Sequence, residues 1–322
     1  MQNNNTNTHY LLFTKAPFRG LGVLFIIFAI PFLIFSTEIK KETRVFAEKD
    51  NQELKMDIYS SDSVFTSAQP CLVFVFGGGF KEGTRDAALY KDYFDYFANK
   101  GFKVVSIDYR LGMKGQKAPT VFNNKPLQNA IAMAVADIYS ATNYLLQHAE
   151  ELNIDPSKII ISGSSAGAMT VLQADYEKRD HRESAKVLPD DFQYAGVIAF
   201  AGSIFSKEGT PSYDLRPAPT LFFHGSGDKL VPYTKTRFFK LGVFGSKPLA
   251  ERFKEQGYPY TFYTMENIGH DVSEYPMKDF LPEIEQFIQD FVFDKKQWML
   301  DINLKDKLRK SDTSTNPGNY YN

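Results

Sequence analysis

The sequence holds a single cysteine, Cys71, so no disulfide can form within the chain. It lies in the apolar run 71–76, where a thiol serves as a small buried hydrophobe. An excess of one charge is also missing: 37 Lys and Arg stand against 38 Asp and Glu, a formal net charge of −1. That balance excludes the basic footprint of a nucleic-acid binder. Histidines number only five, and no Cys/His cluster has the spacing of a metal site. Phosphate-binding and dinucleotide fingerprints are absent too. The glycines at 77–79 run into Phe80-Lys81-Glu82-Gly83, which does not complete a P-loop. The residues therefore call for no metal and no cofactor.

One apolar run, 21–35, is longer than a strand. It contains Pro31 and follows a polar segment whose charged side chains are Lys15 and Arg19. Its length falls between the 10–14 residues that are too short for a bilayer and the roughly 20 that span one. A basic segment followed by a short apolar one reads as a signal peptide, cut near Ser36 or Thr37. Ile34 stands where a small residue is expected, so an uncleaved membrane anchor is the alternative. Residues 1–36 are read as signal peptide or anchor, and either exports the domain to the periplasm, the cell surface or the exterior. Contact with a membrane is expected only through this segment.

Residues 40–298 read as one catalytic-size domain, and 299–322 as a polar tail, disordered from Ser311 onward. The aromatic share, 15% with 29 Phe, suits a large core. Segment 44–59 reads as a hairpin around Lys49-Asp50-Asn51. Short, nearly continuous apolar runs recur at 72–76, 104–107, 159–161, 197–200, 220–223 and 260–263, as in parallel strands covered on both faces. Helical patterns fall at 87–99, at 127–145, at 166–179 and around Leu281, Ile284, Ile288 and Phe291. Strands alternating with helices predict an α/β fold with a mostly parallel sheet of about eight strands.

Two motifs carry chemistry. Gly163-Ser164-Ser165-Ala166-Gly167 fits G-x-S-x-G, a weak signal until its context is read. It follows an apolar strand and opens a helix, and a serine on such a sharp turn needs small neighbours. The other is Phe76-Gly77-Gly78-Gly79-Phe80, directly after the first buried strand. Consecutive glycines let backbone N–H groups face a cleft, as acyl transfer requires where a carbonyl oxygen gains charge. The amides of Gly78, Gly79 and Ala166 are assigned to that oxyanion hole.

These two motifs, together with Ile107-Asp108-Tyr109-Arg110-Leu111 and His224-Gly225-Ser226-Gly227-Asp228, resemble in order and spacing the α/β-hydrolase carboxylesterases. The likeness is closest to the carbohydrate-esterase-like branch with the triple-glycine loop, and it spans roughly 44–298. Many relatives carry His where this chain has Phe76; others carry an aromatic there. The resemblance implies an α/β-hydrolase fold with helices on both faces, and a serine esterase working through an acyl-enzyme on short-chain or carbohydrate-linked esters. It also implies the chain order nucleophile, acid, histidine. Ser165 is then the nucleophile. His270, in Asn267-Ile268-Gly269-His270-Asp271, follows a late strand and becomes the general base. Asp228 is the acid, with Asp271 and Glu266 as competitors. His224 is read as holding the acid's loop, and Asp108 and Arg110 as an ion-paired support.

Two other readings compete. A peptidase on the same fold ordinarily brings a propeller, for which the segment before the first core strand has no room. A non-catalytic binding module ordinarily lacks the serine. Segment 201–219, with Pro211, Pro217 and Pro219, supplies a short helix and a loop at most, so a small cap or none is expected. Phe80, Phe122 and Phe205 are the expected walls of a substrate site open to small-molecule or carbohydrate esters.

Overall fold

A computed structural model describes residues 38–322 apart from Val64 and Val121. The expected signal or anchor segment lies outside the described residues. Twelve strands follow in chain order: β1 (Ile39–Lys49), β2 (Gln52–Ser61), β3 (Gln69–Val75), β4 (Lys103–Ile107), β5 (Ile154–Ser164), β6 (Gly196–Phe200), β7 (Ser203–Ser206), β8 (Thr220–Gly225), β9 (Lys235–Phe238), β10 (Leu241–Gly245), β11 (Tyr260–Met265) and β12 (Met299–Leu304). The α-helices are α1 (Lys91–Asn99), α2 (Lys125–Gln147), α3 (Ala166–Arg179), α4 (Ser246–Gln256), α5 (Pro276–Asp279), α6 (Leu281–Phe287) and α7 (Pro317–Tyr321).

Nine strands form one sheet in the order β1-β2-β4-β3-β5-β6-β8-β11-β12, antiparallel at its β1–β2–β4 edge and parallel elsewhere. The first hairpin turns at Asp50 and Asn51, both at positive φ. Asp and Asn tolerate that conformation, which matches the twist of the strands they join. Strands β6 and β8 are buried along their whole length, as their apolar runs require. Phe74, Phe200 and Phe223 meet ring to ring with Tyr93 of α1, Tyr263 of β11 and Phe280. Helix α2 is tied to α3 by the Tyr139 hydroxyl, which donates to the Ala174 carbonyl at 2.7 Å.

The expected boundary at 298 is corrected. Met299–Leu304 pairs in parallel with β11 as the ninth strand, so the domain runs on into the tail. Alternation of Leu300, Ile302 and Leu304 with Asp301 and Asn303 is the strand signal in an otherwise polar stretch. The expected disorder from Ser311 is corrected too: this segment lies along the rim of the candidate site. Segment 201–219 forms a strand, β7, rather than a short helix. Its partner β10 also pairs with β9, giving a small antiparallel sheet in the order β7-β10-β9.

Candidate active site

Ser165 stands between β5 and α3 with φ 51° and ψ −113°, a strained conformation for a residue with a side chain. Its neighbours explain how the chain reaches it. A Cβ on Gly163 would lie 2.4 Å from the Gly167 carbonyl, and one on Gly167 would lie 1.9 Å from the Val75 carbonyl oxygen. Only glycine at both positions lets strand, turn and helix close on β3. The Ser165 amide donates to the Phe200 carbonyl at 2.8 Å, which locks the turn onto β6.

From this turn a hydrogen-bonded relay runs across three loops. Ser165 Oγ lies 2.7 Å from His270 Nε2, and His270 Nδ1 lies 2.7 Å from Asp228 Oδ2. The other carboxylate oxygen, Oδ1, accepts the amides of Leu230 and Val231 at 2.9 and 3.1 Å. Nδ1–H therefore donates to Asp228, and Nε2 is left as the acceptor facing the serine hydroxyl. Burial alone would raise the Asp228 carboxyl. Hydrogen bonds from His224 and His270, and the charge those rings can carry, outweigh it and hold the carboxyl well below the usual carboxylate range.

The competing acids have other partners. Asp271 accepts the Ser311 hydroxyl, and Glu266 pairs with Lys305 at 3.2 Å. Asp108 and Arg110 are ion-paired, though not with each other: Asp108 holds Arg85 at 2.9 Å, and Arg110 holds Asp137 at 2.8 Å.

On the other side of Ser165, the Gly78 carbonyl accepts the amides of Lys81 and Glu82 at 3.0 and 3.1 Å, closing a tight turn at positive φ. Gly77 is held from outside, its amide donating to the Tyr90 hydroxyl at 3.1 Å. The Gly79 amide has no acceptor among the described residues, and Ala166 opens α3, where a helix has no internal acceptor for its first amides.

The BD-FAE family, of α/β-hydrolase esterases, matches residues 56–204, a span that includes both the glycine loop and the serine turn. Along that span the chain is similar to α/β-hydrolase carboxylesterases. It is 28% identical over 118 residues to Esterase B1 of Culex pipiens, covering 37% of this chain and 21% of that protein. To Fumonisin B1 esterase of Sphingopyxis macrogoltabida it is 29% identical over 116 residues, covering 36% of this chain and 21% of that one. The chain thus spans about a fifth of the length of these curated relatives. Among solved structures, esterase 2 of Thermogutta terrifontis phosphoramylated by tabun is 25% identical with a TM-score of 0.59, covering 79% of this chain and 95% of that one.

Two cavities flank the serine. One, of about 230 Å³, is walled mainly by apolar side chains, among them Phe80, Leu127, Met169, Phe205, Leu241 and Val243. The other, of about 260 Å³, carries Glu82, Thr84, Tyr90, His270 and Glu274 beside the glycine loop. Of the three phenylalanines expected as walls, Phe80 and Phe205 line the first cavity. Phe122 does not: it is 85% exposed, leans on Phe238 and lines neither cavity. Its loop turns the ring outward to the β9–β10 hairpin, a contact no local pattern encodes.

Two wall segments escaped the sequence reading. Thr236 of β9 and Leu241 and Val243 of β10 come from a hairpin whose first strand is wholly exposed and reads as loop. Tyr320 and Tyr321 come from the supposedly disordered tail. A pair of adjacent tyrosines ending a polar segment is the one signal that could have found them.

Proposed function

We propose that the protein is a serine carboxylic-ester hydrolase that works through an acyl-enzyme on esters of small acyl groups with soluble, hydroxyl-rich alcohols such as sugars. The relay from Ser165 through His270 to Asp228 carries this reading. His270 Nε2 takes the proton from Ser165 Oγ as that oxygen bonds to the carbonyl carbon. Negative charge moves to the carbonyl oxygen, to which the amides of Gly78, Gly79 and Ala166 are assigned as donors. Ionised Asp228 stabilises the imidazolium that forms. When the ester C–O bond breaks, the alcohol leaves with the proton from Nε2. Water then attacks the acyl carbon, giving its proton to Nε2, and Ser165 regains a proton as the carboxylic acid departs.

The unequal cavities support the substrate class. The apolar one is smaller than the roughly 300–1,000 Å³ of sites for drug-sized ligands, which suits a short or compact acyl group. The second adds to its apolar walls the carboxylates of Glu82 and Glu274 and the hydroxyls of Thr84 and Tyr90, which can bond a polyol. The esterase relatives support ester hydrolysis, each along its own matched segment. Reaction of the purified chain with a fluorophosphonate probe, followed by a panel of acetyl, feruloyl and alkyl esters, tests the reading. A chain that takes no label at Ser165 and turns over none of the panel is not an esterase.

We also propose that the domain is exported. The apolar run 21–35 behind Lys15 and Arg19 supports this. Fractionation of cells producing the full chain decides it: protein confined to the cytoplasm rejects the proposal.

A further inference from the structure

Residues 311–321 touch the loops of the candidate histidine, the candidate acid and the glycine run. At the histidine loop, the Gly269 amide donates to Ser311 Oγ at 2.7 Å, one residue before His270. The approach there is so close that a Cβ on Gly269 would lie 2.0 Å from the Asp312 carbonyl oxygen. Thr313 then packs on Gly227, beside Asp228. Finally the segment reaches the glycine loop. The Tyr321 hydroxyl donates to the Gly79 carbonyl at 2.9 Å, and Lys81 Nζ donates to the Tyr320 carbonyl at 3.1 Å. A Cβ on Gly79 would stand 2.6 Å from the Tyr320 ring, so glycine at 79 is what lets the ring settle there.

The segment has its own local order. Asp312 accepts the amide and hydroxyl of Ser314 at 2.7 and 2.6 Å and the hydroxyl of Thr315 at 2.5 Å. Asn316 caps α7 in a reciprocal box with Asn319. Yet none of α7 is fully buried, and most of what holds the segment is polar bonding at the surface. Segments with few buried apolar contacts open at low free-energy cost compared with the core.

Tyr320 lines both cavities, as Ser165 and Leu230 do. Its ring is therefore a partition between the apolar pocket and the polar cleft. We infer that residues 311–321 form a closing strap whose Tyr320 and Tyr321 rings set the size limit of the ester group that can reach Ser165. The inference rests on the ester-hydrolase reading and adds to it a specificity device. With the strap seated, the apolar cavity ends at the two rings. With the rings gone, the cavities merge and longer or broader acyl groups fit.

The test uses the full chain, a Tyr320→Ala/Tyr321→Ala variant, a chain ending after Asn316, and Tyr320→Phe. Each is labelled with a small fluorophosphonate probe, and kcat/KM is measured for p-nitrophenyl acetate and octanoate. The octanoate-to-acetate ratio is expected to rise on the order of ten-fold or more when both rings are removed, by mutation or by truncation. Tyr320→Phe keeps its ring and is expected to keep the ratio of the full chain. A strap with a purely structural role would lower both rates together and leave the ratio unchanged, which overturns the inference. If the truncated chain does not fold, the double variant decides. If every chain takes the probe but no ratio moves, the strap proposal fails and the esterase reading stands. If none takes the probe, both fall.

Discussion

His224 Nε2 lies 3.3 Å from Asp228 Oδ2, the same carboxylate oxygen that His270 Nδ1 reaches at 2.7 Å. His224 is wholly buried, with Nε2 also 3.1 Å from the Val231 carbonyl and Nδ1 2.7 Å from Ser246 Oγ. It bonds the acid, the loop that follows the acid and the start of α4, and it touches no reacting atom. His224→Ala should therefore destabilise the fold by about 1–3 kcal/mol, through partners left unsatisfied in the interior. It should lower kcat more than KM, because Asp228 is held less firmly. Urea unfolding and steady-state kinetics measure both. Unchanged kcat together with lowered stability would leave His224 as a purely structural residue.

The triad substitutions should fall into a definite order. Ser165→Ala and His270→Ala should each lower kcat by roughly five to six orders of magnitude, and the double variant by little more, because the two act as a unit. Asp228→Asn should cost less, about four orders of magnitude. Circular dichroism should stay native for Ser165→Ala, since the hydroxyl's one described side-chain partner is His270. Asp271→Asn and Glu266→Gln should keep most activity, their carboxylates being engaged by Ser311 and Lys305. A severe Asp271→Asn beside a mild Asp228→Asn would reverse the assignment of the acid.

The acid limb of the pH profile should not belong to Asp228. The carboxyl is held below its unfolded-chain value of about 3.9, so it is ionised throughout the working range. Its stabilising contribution is complete above that value and is lost as pH falls through the lower folded value. The gap in urea midpoint between the parent chain and Asp228→Asn should narrow below about pH 4. An activity optimum that declines above about pH 5 would count against His270 as base.

Chain-length preference should follow the small apolar cavity. Rates on p-nitrophenyl esters should be highest from acetate to butyrate and fall towards palmitate. A cavity of about 230 Å³ offers no trough in which a long chain could be ordered. Faster palmitate than butyrate hydrolysis, or a rate jump at a lipid interface, would require a trough that the walls do not form.

Much of this site could be read from the chain because its strongest constraints are local. A serine at φ 51° between strand and helix demands glycine two residues before and two after, and those glycines stand at 163 and 167. Buried parallel strands must be apolar throughout, so β3, β5, β6 and β8 announce themselves. An acid and a histidine that must follow the nucleophile in order leave few residues to choose from. Phe122 misled because an aromatic residue in a loop has no periodicity to say which way it points. β9 was invisible because a short exposed strand has a loop's composition.

The sequence by itself determined the α/β layering, the strained serine turn and the glycine loop. Steric limits act within a few residues of each, and few alternatives satisfy them. Only the tertiary structure decided which walls close the site. The Tyr321 hydroxyl meets the Gly79 carbonyl across most of the chain's length. β12 counts as a strand only because β11 offers it an open edge. Such contacts depend on surfaces that exist only once distant segments have folded together, and no neighbouring residue in the chain is constrained to record them.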